Sequence, residues 1–192
     1  MKKLLPLIGL VLLQTSTFLG QEDYEDRDVR ILRTSTLNIK GDTNVNQFQC
    51  VFNTVHLDQK HKITYRKNGR EIHFKNTSLF LENEAFNCGH KAINRDFNLL
   101  LKTSEYPRIS LELRKVVFDN ENRATALIRI KIAGKEKDYS LPVKVSTSPI
   151  DRFTGSMKLN IRDFGLEPPK KVLGLIVLKE EIQINLDLIA QI

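Results

Sequence analysis

Apolar and polar residues alternate along most of this chain. Near the C-terminus Met157, Leu159 and Ile161 alternate with Ser156, Lys158, Asn160 and Arg162. Farther on, Ile182, Ile184, Leu186 and Leu188 alternate with Gln183, Asn185 and Asp187. A period of two is what a strand with one wet and one dry face requires. A corner holding Gly165, Pro168 and Pro169 separates the two runs. The same signature recurs upstream. Leu37 and Ile39 alternate within residues 36–40, and Phe48, Cys50 and Phe52 share one face of residues 45–55. Residues 62–66 and 71–75 flank Asn68-Gly69, a hairpin signal. Three more stripes follow: Ile109, Leu111 and Leu113; Ala124, Ala126, Ile128, Ile130 and Ile132; Tyr139, Leu141, Val143 and Val145. Turn residues at 119–122 and 133–136 separate them. Pro142 falls on the opposite face of its strand, as at a bulge or sheet edge.

One segment departs from the pattern. In residues 87–103, Ile93, Phe97, Leu100 and Leu101 recur at helical spacing, which predicts an amphipathic helix of about three turns ending before Tyr106-Pro107. About eight short-linked strands and one helix make an all-β body. Such strands either pack as a sandwich or close into a barrel, and eight is about the smallest number whose barrel holds one elongated ligand. The stripes nominate the inward-facing residues: Phe48, Phe52, Ile109, Leu111, Leu113, Ile128, Ile130, Ile132, Leu141, Val143, Met157, Leu159 and Ile161. If they fill the interior they are core. If they leave a gap they form an apolar pocket. The chain has no Trp and 7% aromatic residues, so the lining is mainly aliphatic and suits a flexible chain better than a stacked ring.

The N-terminus reads differently. Met1-Lys2-Lys3 precedes an apolar run at residues 4–13 and a polar, small-residue stretch ending at Gly20. That order of regions predicts a secretory signal peptide at 1–20, and the apolar run is about half of what a membrane span needs. No cysteine near Gly20 marks a lipoprotein anchor. Residues 21–30, rich in Asp and Glu, are expected as a charged flexible leader. Residues 31–192 then form one domain, long enough to bury a sizeable core.

The net charge is +7, two units of which come from Lys2 and Lys3. The remaining cations are spread through strands and turns. No nucleic-acid partner is therefore expected, while peripheral contact with an anionic membrane surface stays open, as does a homodimer. Two cysteines, Cys50 and Cys88, follow aromatic residues two positions earlier. In an exported chain they form a disulfide or remain two buried thiols. Their spacing, with no matched histidines, predicts no metal site, and no cofactor is expected.

The remaining motifs favour structural roles. Asp163-Phe164-Gly165 matches the metal-binding triplet of protein kinases, but no glycine-rich or catalytic loop precedes it, so it reads as a turn. His56, His61, His73 and His90 share no two-ligand spacing, and no Gly-x-Ser-x-Gly elbow occurs, so no catalytic residue is nominated. Arg95-Asp96 reads as a solvated ionic face or a polar rim at a barrel mouth. Lys170-Lys171 reads as an exposed loop or a pair of point charges for a phosphate.

Three stretches carry a family resemblance: Ser35-Thr36-Leu37-Asn38-Ile39-Lys40-Gly41 with Asn44-Val45-Asn46-Gln47-Phe48; Ile93-Asn94-Arg95-Asp96-Phe97-Asn98-Leu99-Leu100 with Glu105-Tyr106-Pro107-Arg108-Ile109; and Ala133-Gly134-Lys135 with Asp163-Phe164-Gly165-Leu166. In order and spacing they resemble the YceI-like family, the polyisoprenoid-binding, lipocalin-like proteins of bacterial periplasms. The cysteine pair stands outside the resemblance. What it implies is an eight-stranded antiparallel up-and-down barrel, lipocalin-like, capped by a helix. It also implies a non-enzymatic, periplasmic or secreted protein holding an apolar lipid or isoprenoid chain. The alternative is a filled barrel that acts through its outer surface in the envelope.

Overall fold

The computed structural model describes residues 23–167, 170–171 and 176–191. The expected signal peptide at 1–20 and the Pro168-Pro169 corner lie outside the described residues, as do the side chains of Lys170 and Lys171. The chain runs β1 (Glu25–Ile31), β2 (Thr36–Thr43), β3 (Gln47–Phe52), β4 (Lys60–Asn68), β5 (Glu71–Lys75), β6 (Ser78–Glu82) and β7 (Phe86–Asn87) to the helix α1 (Lys91–Leu100). Then follow β8 (Arg108–Asn120), β9 (Arg123–Ile132), β10 (Lys135–Ser146), β11 (Asp151–Asn160), the short β12 (Lys170–Lys171) and β13 (Ile176–Gln191). All pairings are antiparallel.

Eight strands close a ring in the order β1-β4-β5-β8-β9-β10-β11-β13, and β13 returns to β1 through Arg30↔Gln191 and Ile31↔Ala190. The fold is thus the expected all-β barrel, with one α-helix among the described residues. β13 also pairs with β2 along the rest of that edge, β3 follows on β2 and β7 on β3, and β6 lies on β8. The register aligns inward residues into belts. One runs Phe118↔Ala124↔Val143↔Gly155↔Leu186↔Leu37 across six strands. Gly155 is needed there, because a Cβ would lie 2.8 Å from the carbonyl oxygen of Pro142. The β9–β10 hairpin turns on Ala133 (φ +46°) and Gly134 (φ +79°), a two-residue loop whose twist matches the flanking strands. Gly134 also leaves room for the Tyr106 ring, 2.9 Å from where a Cβ would sit.

Three expectations are corrected. The charged segment 21–30 is not a flexible leader over its described length, because Glu25–Ile31 is a ring strand. Its charges disguise it, yet they are matched across the ladder. Asp26 faces Lys62 at 2.7 Å and accepts from the Thr64 hydroxyl at 2.7 Å, while the Tyr65 hydroxyl donates to Glu25 at 3.0 Å. The helix is shorter than 87–103. Gly89 (φ +81°) and His90, whose Nδ1 accepts from the Ala92 N–H at 3.2 Å, set its start, and Lys102 (φ +53°) lies just past its end. The strand expected at 109–113 continues to Asn120 through an irregularity between Leu113 and Lys115, after which Val116 packs on the core. That one-residue slip breaks the alternation that marks a strand.

The two cysteines pair. Cys50 on β3 is bonded to Cys88, two residues before the helix cap, and both are buried. The closed loop spans a separation of 38 residues. On chain-entropy grounds this constrains the unfolded state by about 3–4 kcal/mol. Cys50→Ala/Cys88→Ala is expected to lose about that much stability in urea unfolding, and dithiothreitol should destabilise the parent but not the double variant.

Candidate ligand-binding site

The barrel encloses a void of about 80 Å³. All 22 described residues lining it are apolar. They come from β2, β3, β6, β7, β8, β9, β10, β11 and β13, from Ile161 and Leu166 in and just after the turn at Ile161–Phe164, and from the lid formed by α1 and Leu101 at its end. Ten of the thirteen nominated residues line it: Phe48, Ile109, Leu111, Ile128, Ile130, Ile132, Leu141, Met157, Leu159 and Ile161. Phe48 gains its place from Gly41, since a Cβ there would meet the Phe48 ring.

The other three sit elsewhere. Phe52 is buried one layer back, with its ring against Phe86 at 5.0 Å, and Phe86 faces the void. Leu113 borders the β8 irregularity, and Val143 lies on the Ala124–Gly155 belt; both pack on the core without reaching the void. Several lining residues were visible as inward stripes but not nominated: Leu37 and Ile39 on β2, and Ile182, Ile184 and Leu186 on β13. Leu81 was hidden because β6 is only five residues long and adjoins polar loops.

The lid is fixed at both ends. At its start the disulfide holds Cys88 to β3, and the Cys88 N–H donates to Asn94 Oδ1 at 2.7 Å. Phe97 packs on Phe86 at 5.2 Å and, with Leu100 and Leu101, faces the void. Past its end, buried Asn83 donates from Nδ2 to Thr103 Oγ1 at 3.0 Å and to the Tyr106 carbonyl at 2.8 Å. The Thr103 hydroxyl in turn donates to Asn98 at 2.9 Å.

Asp163-Phe164-Gly165 is a turn closing the same end of the barrel. Phe164 is buried and stacks on Tyr139, while Gly165 takes the left-handed conformation at φ +64°. Asp163 accepts from the Tyr139 hydroxyl at 2.6 Å. Burial, reinforced by this carboxylate, pushes the Tyr139 phenol well above its ordinary range. The histidines stay apart. His61 Nε2 donates to the Leu57 carbonyl, His73 Nε2 to Glu71, His90 caps α1 and His56 is exposed. Among the described residues no three His, Cys, Asp or Glu side chains gather as a metal-binding group. Arg95 lies exposed on the outer side of the lid.

Residues 33–190 match the sequence model of the YceI-like domain. The chain belongs to the YceI-like family. BcnA of Burkholderia cenocepacia is similar in fold, with a TM-score of 0.63 at 16% identity, covering 82% of this chain and 96% of that one. A polyisoprenoid-binding domain from Saccharophagus degradans, implicated in plant cell wall breakdown, aligns with a TM-score of 0.58 at 13% identity over 85% of this chain and 97% of that domain. No curated protein matches. At these identities the two structures speak for the YceI-like barrel alone.

The Tyr139–Asp163 contact gives a pH signature. An unfolded tyrosine titrates near pH 10, and the folded phenol titrates higher. Its contribution is therefore whole below about pH 10 and is lost as the pH rises through the folded value. Tyr139→Phe should lower the urea midpoint at pH 8, and the difference from the parent should shrink by pH 11.

Proposed function

We propose that this is an exported, non-enzymatic protein of the bacterial envelope that holds one long apolar chain of isoprenoid type inside the barrel. The observation that carries the reading is the lining of the bore: a void lined by 22 apolar residues and no polar one among those described. Membership of the YceI-like family supports it, as does the polyisoprenoid-binding domain among proteins of the same fold. The disulfide supports export, because such bonds persist in oxidising compartments. Transfer from water into the bore supplies roughly 0.8 kcal/mol per buried CH₂, and needs neither a metal nor a proton transfer.

The void sets a condition on this function. About 80 Å³ is roughly half of the 150 Å³ cavity that admits benzene in an engineered protein. A long chain therefore enters only as the lining moves apart. Met157 among the wall residues is unbranched and repacks readily. The small void also favours a second reading, a filled barrel that works through its outer surface. Native mass spectrometry and organic extraction of protein purified from its own envelope separate the two. The lipid-holding reading expects an apolar adduct, and expects Met157→Trp to lose it while far-ultraviolet circular dichroism stays unchanged. Repeated absence of any adduct from the parent protein selects the filled barrel.

A further inference from the structure

The void occupies one half of the barrel. Among the described residues none of its lining comes from β1, β4 or β5, the three strands that complete the ring. Those strands join their neighbours beyond the lined stretch. β5 pairs with residues 115–117 of β8, whereas Ile109 and Leu111 are the β8 residues at the void. β1 meets β13 at Ala190 and Gln191, whereas the lining on β13 ends at Leu186. The interior of the ring half is packed instead. Tyr65, Val145 and Ala190 are buried there, and none of them reaches the void. Phe153 and Leu188 continue the row of Val145 across the sheet, and Phe74 lies opposite Tyr65 with their ring centroids 6.4 Å apart. Partners in register share a face of the sheet, so these side chains point inward with Tyr65 and Val145.

The rim of that half is charged. The Tyr65 hydroxyl donates to Glu25 at 3.0 Å, and Arg27 and Lys67 each lie 6.0 Å from the Tyr65 ring. An apolar chain pushed so far would strip water from charges it cannot pair with. The other end has a cover of a different kind, for Phe97 and Leu100 of α1 and Leu101 at its end face the void directly. We infer that the bore is blind: it opens beneath the lid, closes at the Ala124–Val143–Gly155 belt, and takes its ligand tail first. The class of ligand follows. It is a chain with one unsubstituted apolar end, and any polar group at its other end stays in water beside the lid. A chain with a polar group at each end is excluded, because one of the two would be buried at an apolar floor without a partner. The inference rests on the lipid-holding reading and adds to it which end of the lipid enters.

Two pairs of probes test this on the purified full-length protein, by isothermal titration calorimetry below the concentration at which each probe aggregates. Farnesol is paired with 12-hydroxyfarnesol, and hexadecanoate with hexadecanedioate. A bore open at both ends lets the second polar group emerge into water, so the two members of a pair bind alike. A blind bore leaves that group without a partner. The second hydroxyl should then weaken binding about tenfold, and the second carboxylate at least about a hundredfold. Intermolecular nuclear Overhauser effects in the farnesol complex place the two ends. The terminal methyls should reach the Val143 methyls, and the carbinol protons those of Leu100. A pair whose members bind within twofold of each other, or contacts in the reverse order, overturns the blind bore and leaves the lipid-holding reading standing. Absence of binding by all four probes removes both.

Discussion

Along one edge β13 pairs with β11 from Glu181 to Ala190, and along the other it pairs first with β2 and then, at its last residues, with β1. A sheet of this size with a free edge would present a row of unpaired N–H and C=O groups. The short β1–β13 junction removes that edge and turns a strongly twisted sheet into a cylinder. Inside and outside then become fixed for every strand, because a one-residue slip anywhere in the ring would turn that strand's apolar side chains to water. The belts through Gly155, Ala124 and Leu186 follow from that closure, and so does the enclosed void.

How much of this could be read from the residues depended on whether side-chain polarity tracked direction. On β9, β10, β11 and β13 it did. Ile130, Leu141 and Leu159 point inward while Arg129 pairs with Asp138 on the outer face at 2.7 Å, and Arg152 pairs with Asp187 at 2.7 Å. On β1 it did not. Glu25, Asp26, Arg27 and Asp28 look like a solvated tail, and only their partners on β4 make them a strand. β6 was lost for the opposite reason, being too short for a period to show. At the site, strand direction was legible and depth was not. Phe52 and Phe48 share a face of β3, but Phe86 stands between Phe52 and the void.

The lid shows how local and long-range determinants combine. Its sequence gives an amphipathic helix, but ten residues are too few to be stable alone in water. Its position comes from elsewhere: the bond to β3 at one end, the Asn83–Thr103–Asn98 chain of hydrogen bonds at the other, and the Phe52–Phe86–Phe97 ladder of rings between. The same elements hold the inner face against the void and the outer face toward solvent.

A wall that is wholly apolar among the described residues has a consequence for selectivity. Polar groups at fixed points let a pocket reject a close analogue, because a mismatch strands a buried donor or acceptor. Among the described residues, the lining has no such points. It has no means of telling a double bond from a single one or one end of a chain from the other. What it measures is girth and length. Under the proposed function, an occupant too long for the cylinder would leave its excess outside, so the bore would work as a gauge and chemical discrimination would fall to the groups around its mouth.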